Sequence, residues 1–188
     1  ISAQPAPIEL SVLSAAALTP WRHPAPYELH YGESWRAAYL ARPETITGGL
    51  DADLAGHMTV ARERGIALFG PEPRTTLPEP PREDFLASIL SDVLSEEFGV
   101  GGLVKSTNAT YVILNTCRTL GYLRTGRIMS KDEGGLWALL ELPWRYSSMT
   151  ARALEKYRAY GDSPEYTAGE LAQFSTYALA ELRNRKAR

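Results

Sequence analysis

The sequence predicts a mainly α-helical protein, a bundle of about six helices with one β-strand at its N-terminal end. Several segments repeat apolar residues at three- and four-residue spacing, which is typical of amphipathic helices. Two S/T-x-x-E sequences, Ser130 to Glu133 and Thr167 to Glu170, are capping boxes that mark helix starts. Residues 7–14 alternate apolar and polar side chains, which indicates a strand.

Length and composition fit one globular domain, or a small domain with an appendage. The chain has 188 residues, of which 44% are apolar and 22% charged. A formal net charge of −2 gives no general attraction to nucleic acid. The single Cys117 rules out an intrachain disulfide and sits in an apolar helical run, so we expect a buried thiol. No apolar run is long enough to cross a membrane, and the expected location is cytoplasmic.

The predicted strand places Ile8, Leu10 and Val12 on one face and Glu9 and Ser11 on the other. Because the rest of the sequence is patterned as helix, we expect this strand to have no partner in the chain and to be left from another domain. The Glu9 carboxylate on the polar face is either exposed to solvent or an active-site acid or base.

Residues 19–40 are rich in proline and aromatic side chains. Three prolines keep the first half extended, and a helix is expected to follow through Tyr39 or Leu40. The aromatic residues either wall a ligand cleft or form core beneath a long connection. They are Trp21, Tyr27, Tyr31, Trp35 and Tyr39.

Helices are predicted at residues 51–64 and 83–98, separated by a proline-rich linker. Asp51 is the expected N-cap of the first, and Gly65 and Gly99 are the expected stops. Residues 99–108 are expected to form a loop. Two more helices are predicted after the central region, at residues 149–160 and from residue 167 onward.

The central stretch, residues 111–143, is predicted as two helices separated by a stop at Gly126. Tyr111, Asn115, Arg118 and Tyr122 share one face of the first helix. Lys131 lies in the first turn of the second, where free N–H groups and the helix dipole favour anions. Arg118 and Lys131 could therefore converge on a phosphate. A solvated helix face with an ordinary surface lysine is the alternative.

Other common site patterns are missing. The three histidines, His23, His30 and His57, lack metal-ligand spacing, and no catalytic triad, Walker loop or G-x-G-x-x-G motif occurs. The residues alone therefore support a helical domain with one candidate anion site.

The run from Asn115 to Pro143 resembles the C-terminal helical domain of the aminoglycoside adenylyltransferases that act on streptomycin and spectinomycin. The matching signature is Asn-x-Cys-Arg, Gly-Arg, Ser-Lys-x-Glu-Gly-Gly-x-Trp-Ala-Leu and Leu-Pro. A Pro-Trp-Arg segment from Pro20 and the Leu-Phe-Gly-Pro of residues 68–71 also match. The resemblance implies that residues 1–18 are a remnant of a nucleotidyltransferase domain and residues 19–188 are the helical domain.

The resemblance implies transfer of AMP from ATP, with Mg²⁺, to a hydroxyl of an aminoglycoside-like acceptor, and so a role in antibiotic resistance. Glu9 matches the general base. Arg118 and Lys131 match residues that contact the ATP phosphates. Tyr157 and, more weakly, Asp53 match residues near the nucleotide.

Acceptor contacts are implied at Glu33, Trp35 and Asn108, although the tryptophan is shifted by one position and no Asp or Trp occurs in residues 98–108. The family's Gly-Ser/Asp-x-Asp segment, which lies upstream of the strand that contains the general base, is missing from the sequence, so we expect the magnesium ligands, and the catalytic half, to lie outside this chain. A non-catalytic helical module that binds a ligand or a partner is the alternative function.

Overall fold

The structure, a computed structural model, describes residues 8–33, 36–159 and 165–186. The chain divides by its internal contacts into two compact units, residues 1–88 and residues 89–188. Most of the described residues are helical, and the predicted mainly α class is confirmed. Within these ranges no helix is both long and apolar enough to span a membrane.

The first unit contains a three-stranded antiparallel sheet of β1 (Glu9–Val12), β2 (Ala25–Gly32) and β3 (Thr47–Asp51), in that order. The expectation that the N-terminal strand has no partner is therefore wrong. The helix expected to follow the prolines through Tyr39 or Leu40 starts later than predicted, because Ala25–Gly32 forms β2 and helix α2 covers only Arg36–Ala41. Tyrosine-rich segments favour strands when a neighbouring strand pairs with them, and such pairing cannot be read from helical spacing.

The apolar face of β1 is not buried, unlike that of a typical half-buried strand. Ile8, Leu10 and Val12 keep 43%, 49% and 43% of their surface exposed. The opposite face, with Glu9 and Ser11, lines a pocket together with residues of β2 and α3. Leu10 lines the same pocket, and no residue of β1 is buried, so the predicted buried apolar face is not present within this unit.

The remaining helices of the first unit are α1 (Ala15–Leu18), α3 (Leu54–Arg64) and α4 (Pro73–Thr76), and the unit boundary falls within α5 (Arg82–Leu94). Helix α3 is capped at Asp53 rather than at Asp51, because the Asp51 carboxylate accepts a hydrogen bond from the Asp53 N–H at 2.8 Å and holds the turn before the helix. Gly65 ends α3, as predicted.

Helix α5 ends at Leu94, four residues earlier than predicted. The Ser95 hydroxyl accepts hydrogen bonds from the N–H groups of Glu97 and Phe98 at 3.2 and 3.0 Å, which favours a turn over another helical turn. The predicted loop that follows contains a 3₁₀ helix, Val100–Lys105, whose Val100 and Leu103 side chains are fully buried.

The second unit is built on helices α6 (Ala109–Thr125), α7 (Lys131–Glu141), α8 (Ser147–Ala159) and α9 (Ala168–Lys186). Helix α6 ends at Gly126, whose φ of 71° is the left-handed conformation that favours glycine. Both bonds of the capping box are present at the start of α7, where Ser130 and Glu133 accept from each other's N–H groups at 3.1 and 2.8 Å. The predicted stop and restart are confirmed.

The core of the second unit surrounds α6. Fully buried side chains from α6, α8 and α9 meet there, including Ile113, Leu114, Leu120, Met149 and Phe174. Cys117 lies among them, and burial raises the pKa of its thiol to about 12. The expectation of a buried thiol is confirmed.

Candidate functional site

The first turn of α7 lies directly against α6. Lys131 is the first residue of α7, and its Nζ lies 4.5 Å from the centre of the Tyr111 ring on α6. One turn later, Gly134 approaches α6 so closely that a Cβ there would lie 2.6 Å from the Cα of Arg118. Because Gly134 has no side chain, the start of α7 can pack on the face of α6 that contains Arg118.

Buried polar groups orient the Arg118 side chain. Its Nε donates to Asn115 Oδ1 at 2.7 Å, and Asn115 Nδ2 donates to Asp92 Oδ2 at 2.6 Å. Asn115 is only 4% exposed, so a structured network, not solvent, supports the guanidinium. The bond to Asn115 uses Nε alone, which leaves the outer Nη groups for a further acceptor.

Helix α8 supports the same end of α7. Arg158 donates to both carboxylate oxygens of Asp132, at 2.6 and 3.1 Å, and this lowers the pKa of the carboxyl group. Tyr157, the neighbour of Arg158, is 43% exposed. Contact of Tyr157 with the nucleotide stays a prediction, whereas Arg158 ties α8 directly to the first turn of α7 that contains Lys131.

Glu9 lines a pocket of about 310 Å³ in the first unit. Glu9, Ser11 and His30 line it from the sheet, and Leu54, His57 and Met58 line it from α3. Ser11 and His30 are direct partners across β1 and β2, and Ser11 Oγ lies 3.0 Å from His30 Nδ1. Leu10 and Leu13 also line it, so polar and apolar side chains mix on the sheet side, and His57 is the polar side chain among apolar ones on α3.

Asp53 is held at the start of α3 by two side chains. The Ser88 hydroxyl donates to Asp53 Oδ1 at 2.6 Å, and His57 Nε2 lies 3.1 Å from Asp53 Oδ2. The hydrogen bond to Asp53 is the largest cause of the raised pKa of His57. Asp53 therefore orients a histidine that lines the Glu9 pocket.

The residues expected to contact the acceptor have local partners. Glu33 accepts from the Tyr31 hydroxyl at 2.6 Å and lies 3.9 Å from Arg36. Asn108 caps α6 by accepting from the Tyr111 N–H at 3.2 Å. Trp35 lies outside the described residues. Acceptor contact at these three positions stays a prediction.

Reasoning from sequence missed several polar residues of both sites. The four-residue spacing of Asp53 and His57 on one helix was a readable signal for that pair. Ser11 and His30 meet only through the strand register, and Asp92 reaches Asn115 only through helix packing. Neither contact has a local sequence signature.

The acidic and histidine side chains do not form a metal site in the part of the chain that the structure describes. There, no group of three or more His, Cys, Asp or Glu residues could hold a metal ion. These residues therefore do not fit a magnesium site, and no Mg²⁺ ligand is assigned to them.

Residues 75–181 match the family described as "Aminoglycoside adenylyltransferase, C-terminal domain". The chain belongs to this family. An aminoglycoside (3'') (9) adenylyltransferase of Klebsiella pneumoniae is 30% identical to it over 180 residues, which cover 93% of this chain and 65% of that protein. A spectinomycin 9-adenylyltransferase of Staphylococcus aureus is 30% identical over 156 residues, covering 83% and 58%. The chain thus spans less than two thirds of either relative's length.

A solved structure shares the fold of this family member. The spectinomycin adenyltransferase of Enterococcus faecialis, crystallised with ATP and spectinomycin, superposes with a TM-score of 0.73 and 24% sequence identity. The match covers 94% of this chain and 68% of that one.

Proposed function

We propose that this chain is the C-terminal part of a nucleotidyltransferase that moves AMP from ATP to a hydroxyl of an aminoglycoside-like acceptor. The observation that carries the proposal is the start of α7, where Lys131 is the first helical residue and Gly134 packs on Arg118. Family membership and the adenylyltransferase activities for which the relatives are named agree with it.

The start of α7 has the chemistry that phosphates require. Its first-turn N–H groups and helix dipole favour anions, and an ammonium group and a guanidinium group add positive charge. Asn115 preorganises Arg118, so less side-chain freedom is lost when an anion binds. We assign the ATP phosphates to Arg118 and Lys131, and contact with the nucleotide to Tyr157.

Glu9 is the proposed general base. The acceptor hydroxyl gives its proton to the Glu9 carboxylate, its oxygen bonds to the α-phosphorus of ATP, and pyrophosphate leaves. Mg²⁺ would accompany ATP and neutralise phosphate charge. The pocket that contains Glu9 has room for a ring-sized group of the acceptor.

ATP binding to variants of the complete protein tests the proposal. Lys131→Ala should weaken ATP binding about 10- to 150-fold, corresponding to the loss of a charged hydrogen bond of about 1.5–3 kcal/mol. Lys105→Ala is the matched control, because Lys105 is an exposed lysine of the same unit on the 3₁₀ helix. Calorimetric titration gives both affinities. Equal ATP affinity for wild type and Lys131→Ala would remove Lys131 from the site.

The same preparation separates the enzyme from the alternative of a non-catalytic binding module. With ATP, Mg²⁺ and spectinomycin or streptomycin, an adenylyltransferase releases pyrophosphate and forms an adenylylated product. A complete protein that binds these antibiotics but releases no pyrophosphate would favour the binding module.

A further inference from the structure

The pocket of the first unit presents a hydrogen-bond acceptor and a hydrogen-bond donor from two different elements. Glu9 belongs to β1 and His57 to α3, and both line the pocket. His57 lies one helical turn after Asp53, and its Nε2 is engaged by Asp53 Oδ2 at 3.1 Å. The ring nitrogen that the Asp53 contact does not use is Nδ1, and His57 lines the pocket.

Packing holds the Asp53–His57 pair in place. Asp53 accepts a hydrogen bond from the Ser88 hydroxyl at its other carboxylate oxygen, Oδ1, and Ser88 is only 4% exposed. Gly56 makes this contact possible, because a Cβ there would lie 2.5 Å from Ser88 Oγ. A small residue, a buried hydroxyl and a carboxylate together orient one imidazole toward the pocket that contains Glu9.

We propose that His57 determines acceptor specificity: its Nδ1–H donates to an acceptor oxygen that neighbours the hydroxyl facing Glu9. The acceptor class is then a polyol or sugar ring with two adjacent oxygens. The assignment rests on the proposed function of Glu9 as the base for an acceptor hydroxyl. One hydroxyl of the diol donates to the Glu9 carboxylate, and the second oxygen accepts from the His57 imidazolium. A single diol therefore forms hydrogen bonds with both residues.

The charges around His57 favour the protonated ring that this role needs. Asp53 precedes His57 by one helical turn, Asp51 ends β3, Glu9 lines the pocket from β1, and all three carboxylates raise the pKa of His57. His30 faces it from β2, where Ser11 occupies the His30 Nδ1. The segment after α4 contributes the uncharged Leu77. Diol binding should accordingly weaken as pH rises through the His57 pKa.

Two small probes test the proposal without ATP or turnover. Trans-1,2-cyclohexanediol and cyclohexanol differ by the second oxygen, and their binding to the complete protein is followed by the NMR signals of the His57 ring. The signals that disappear from the spectrum of His57→Leu are assigned to the His57 ring. At pH 6 the diol should bind about 3- to 10-fold more tightly than the alcohol, the scale of one hydrogen bond in a half-exposed pocket.

Two variants complete the test. His57→Leu should abolish the preference for the diol, with binding then followed by backbone amide signals of β1. His57→Gln, whose amide donates but does not titrate, should keep a preference that no longer depends on pH. Equal affinity for both probes in the wild type at pH 6, or a preference that survives His57→Leu, would overturn the proposal. Failure of AMP transfer in the complete protein, with the diol preference intact, would overturn the proposed function instead.

Discussion

At the scale of single residues, chemistry depends on which neighbours the fold supplies. Glu9 is one of 22 acidic residues in the chain. Its position on the polar face of β1 was visible in the sequence, but the pocket around it needs β2 and α3. Lys131 likewise reads as a surface lysine until Gly134 brings its helix against α6.

The role of Glu9 can be tested with one isosteric change. In the complete protein, Glu9→Gln removes the proton acceptor while keeping the side chain's size, so AMP transfer should fall at least about 100-fold, the scale of general-base catalysis. ATP affinity should stay the same, since the proposed phosphate contacts come from α6 and α7. Pyrophosphate release measures the first quantity and calorimetry the second. Turnover at the wild-type rate would refute the role of Glu9.

The Asp53–His57 pair predicts a pH dependence of stability. Because the folded pKa of His57 is raised, its contribution is fully present below the unfolded value of 6.5 and is lost as pH rises through the folded value. Asp53→Asn should therefore destabilise the protein more at pH 5.5 than at pH 9. Urea unfolding midpoints of both proteins at the two pH values give the comparison. A destabilisation by Asp53→Asn that is larger at pH 9 than at pH 5.5 would contradict the predicted pH dependence.

At the scale of elements, local signals and close helix packing act together in α6 and α7. The capping box and the left-handed Gly126 set where the helices begin and end. The contact between the sides of the two helices depends instead on Gly134. Glycine inside a helix is less favourable than alanine by about 1 kcal/mol. The glycine is explained by the approach to Arg118 and not by helix propensity.

Gly134→Ala should therefore destabilise the second unit, although alanine favours helix. The added Cβ would lie within 2.7 Å of backbone atoms of Arg118, which cannot move aside as a flexible side chain can. We expect a net loss of about 1–3 kcal/mol from overpacking and a weaker affinity for ATP.

Gly169→Ala is the matched control, because a Cβ at this position near the start of α9 would meet only Thr167 Oγ1 at 4.0 Å. It should be neutral or slightly stabilising. Chemical unfolding followed by circular dichroism measures both variants. A Gly134→Ala protein as stable as the wild type would show that α7 can move away from α6 at no cost.

At the scale of the whole molecule, the chain forms two compact units, and the second has a continuous core. Cys117 lies at the centre of that core with a fully buried thiol. The assignment of residues 1–18 to a nucleotidyltransferase domain stays a prediction, and the two units divide at Ser88. Because the residues of this core all belong to the second unit, a probe inside it reports on the unfolding of that unit.

Cys117 reports on unfolding of that core. Burial raises its pKa to about 12, so the reactive thiolate is scarce and shielded while the unit is folded. A thiol reagent such as DTNB should react negligibly in buffer and rapidly above the unfolding midpoint in urea. Absorbance of the released thiolate follows the reaction. Rapid labelling in buffer would show that α6 opens without global unfolding.

The sequence by itself determined the helical class, the helix ends marked by Gly126, Ser130 and Thr167, and the family resemblance of residues 115–143. These features depend on contacts between residues within about four positions of one another, so the local sequence is enough to predict them. The partner strand of β1 and the Glu9 pocket were decided by tertiary structure. Strand register, the Ser88–Asp53 bond and the Gly134–Arg118 approach join residues that are 16 or more positions apart. Local periodicity contains no information on which distant segments meet, and only packing of the folded chain selects them.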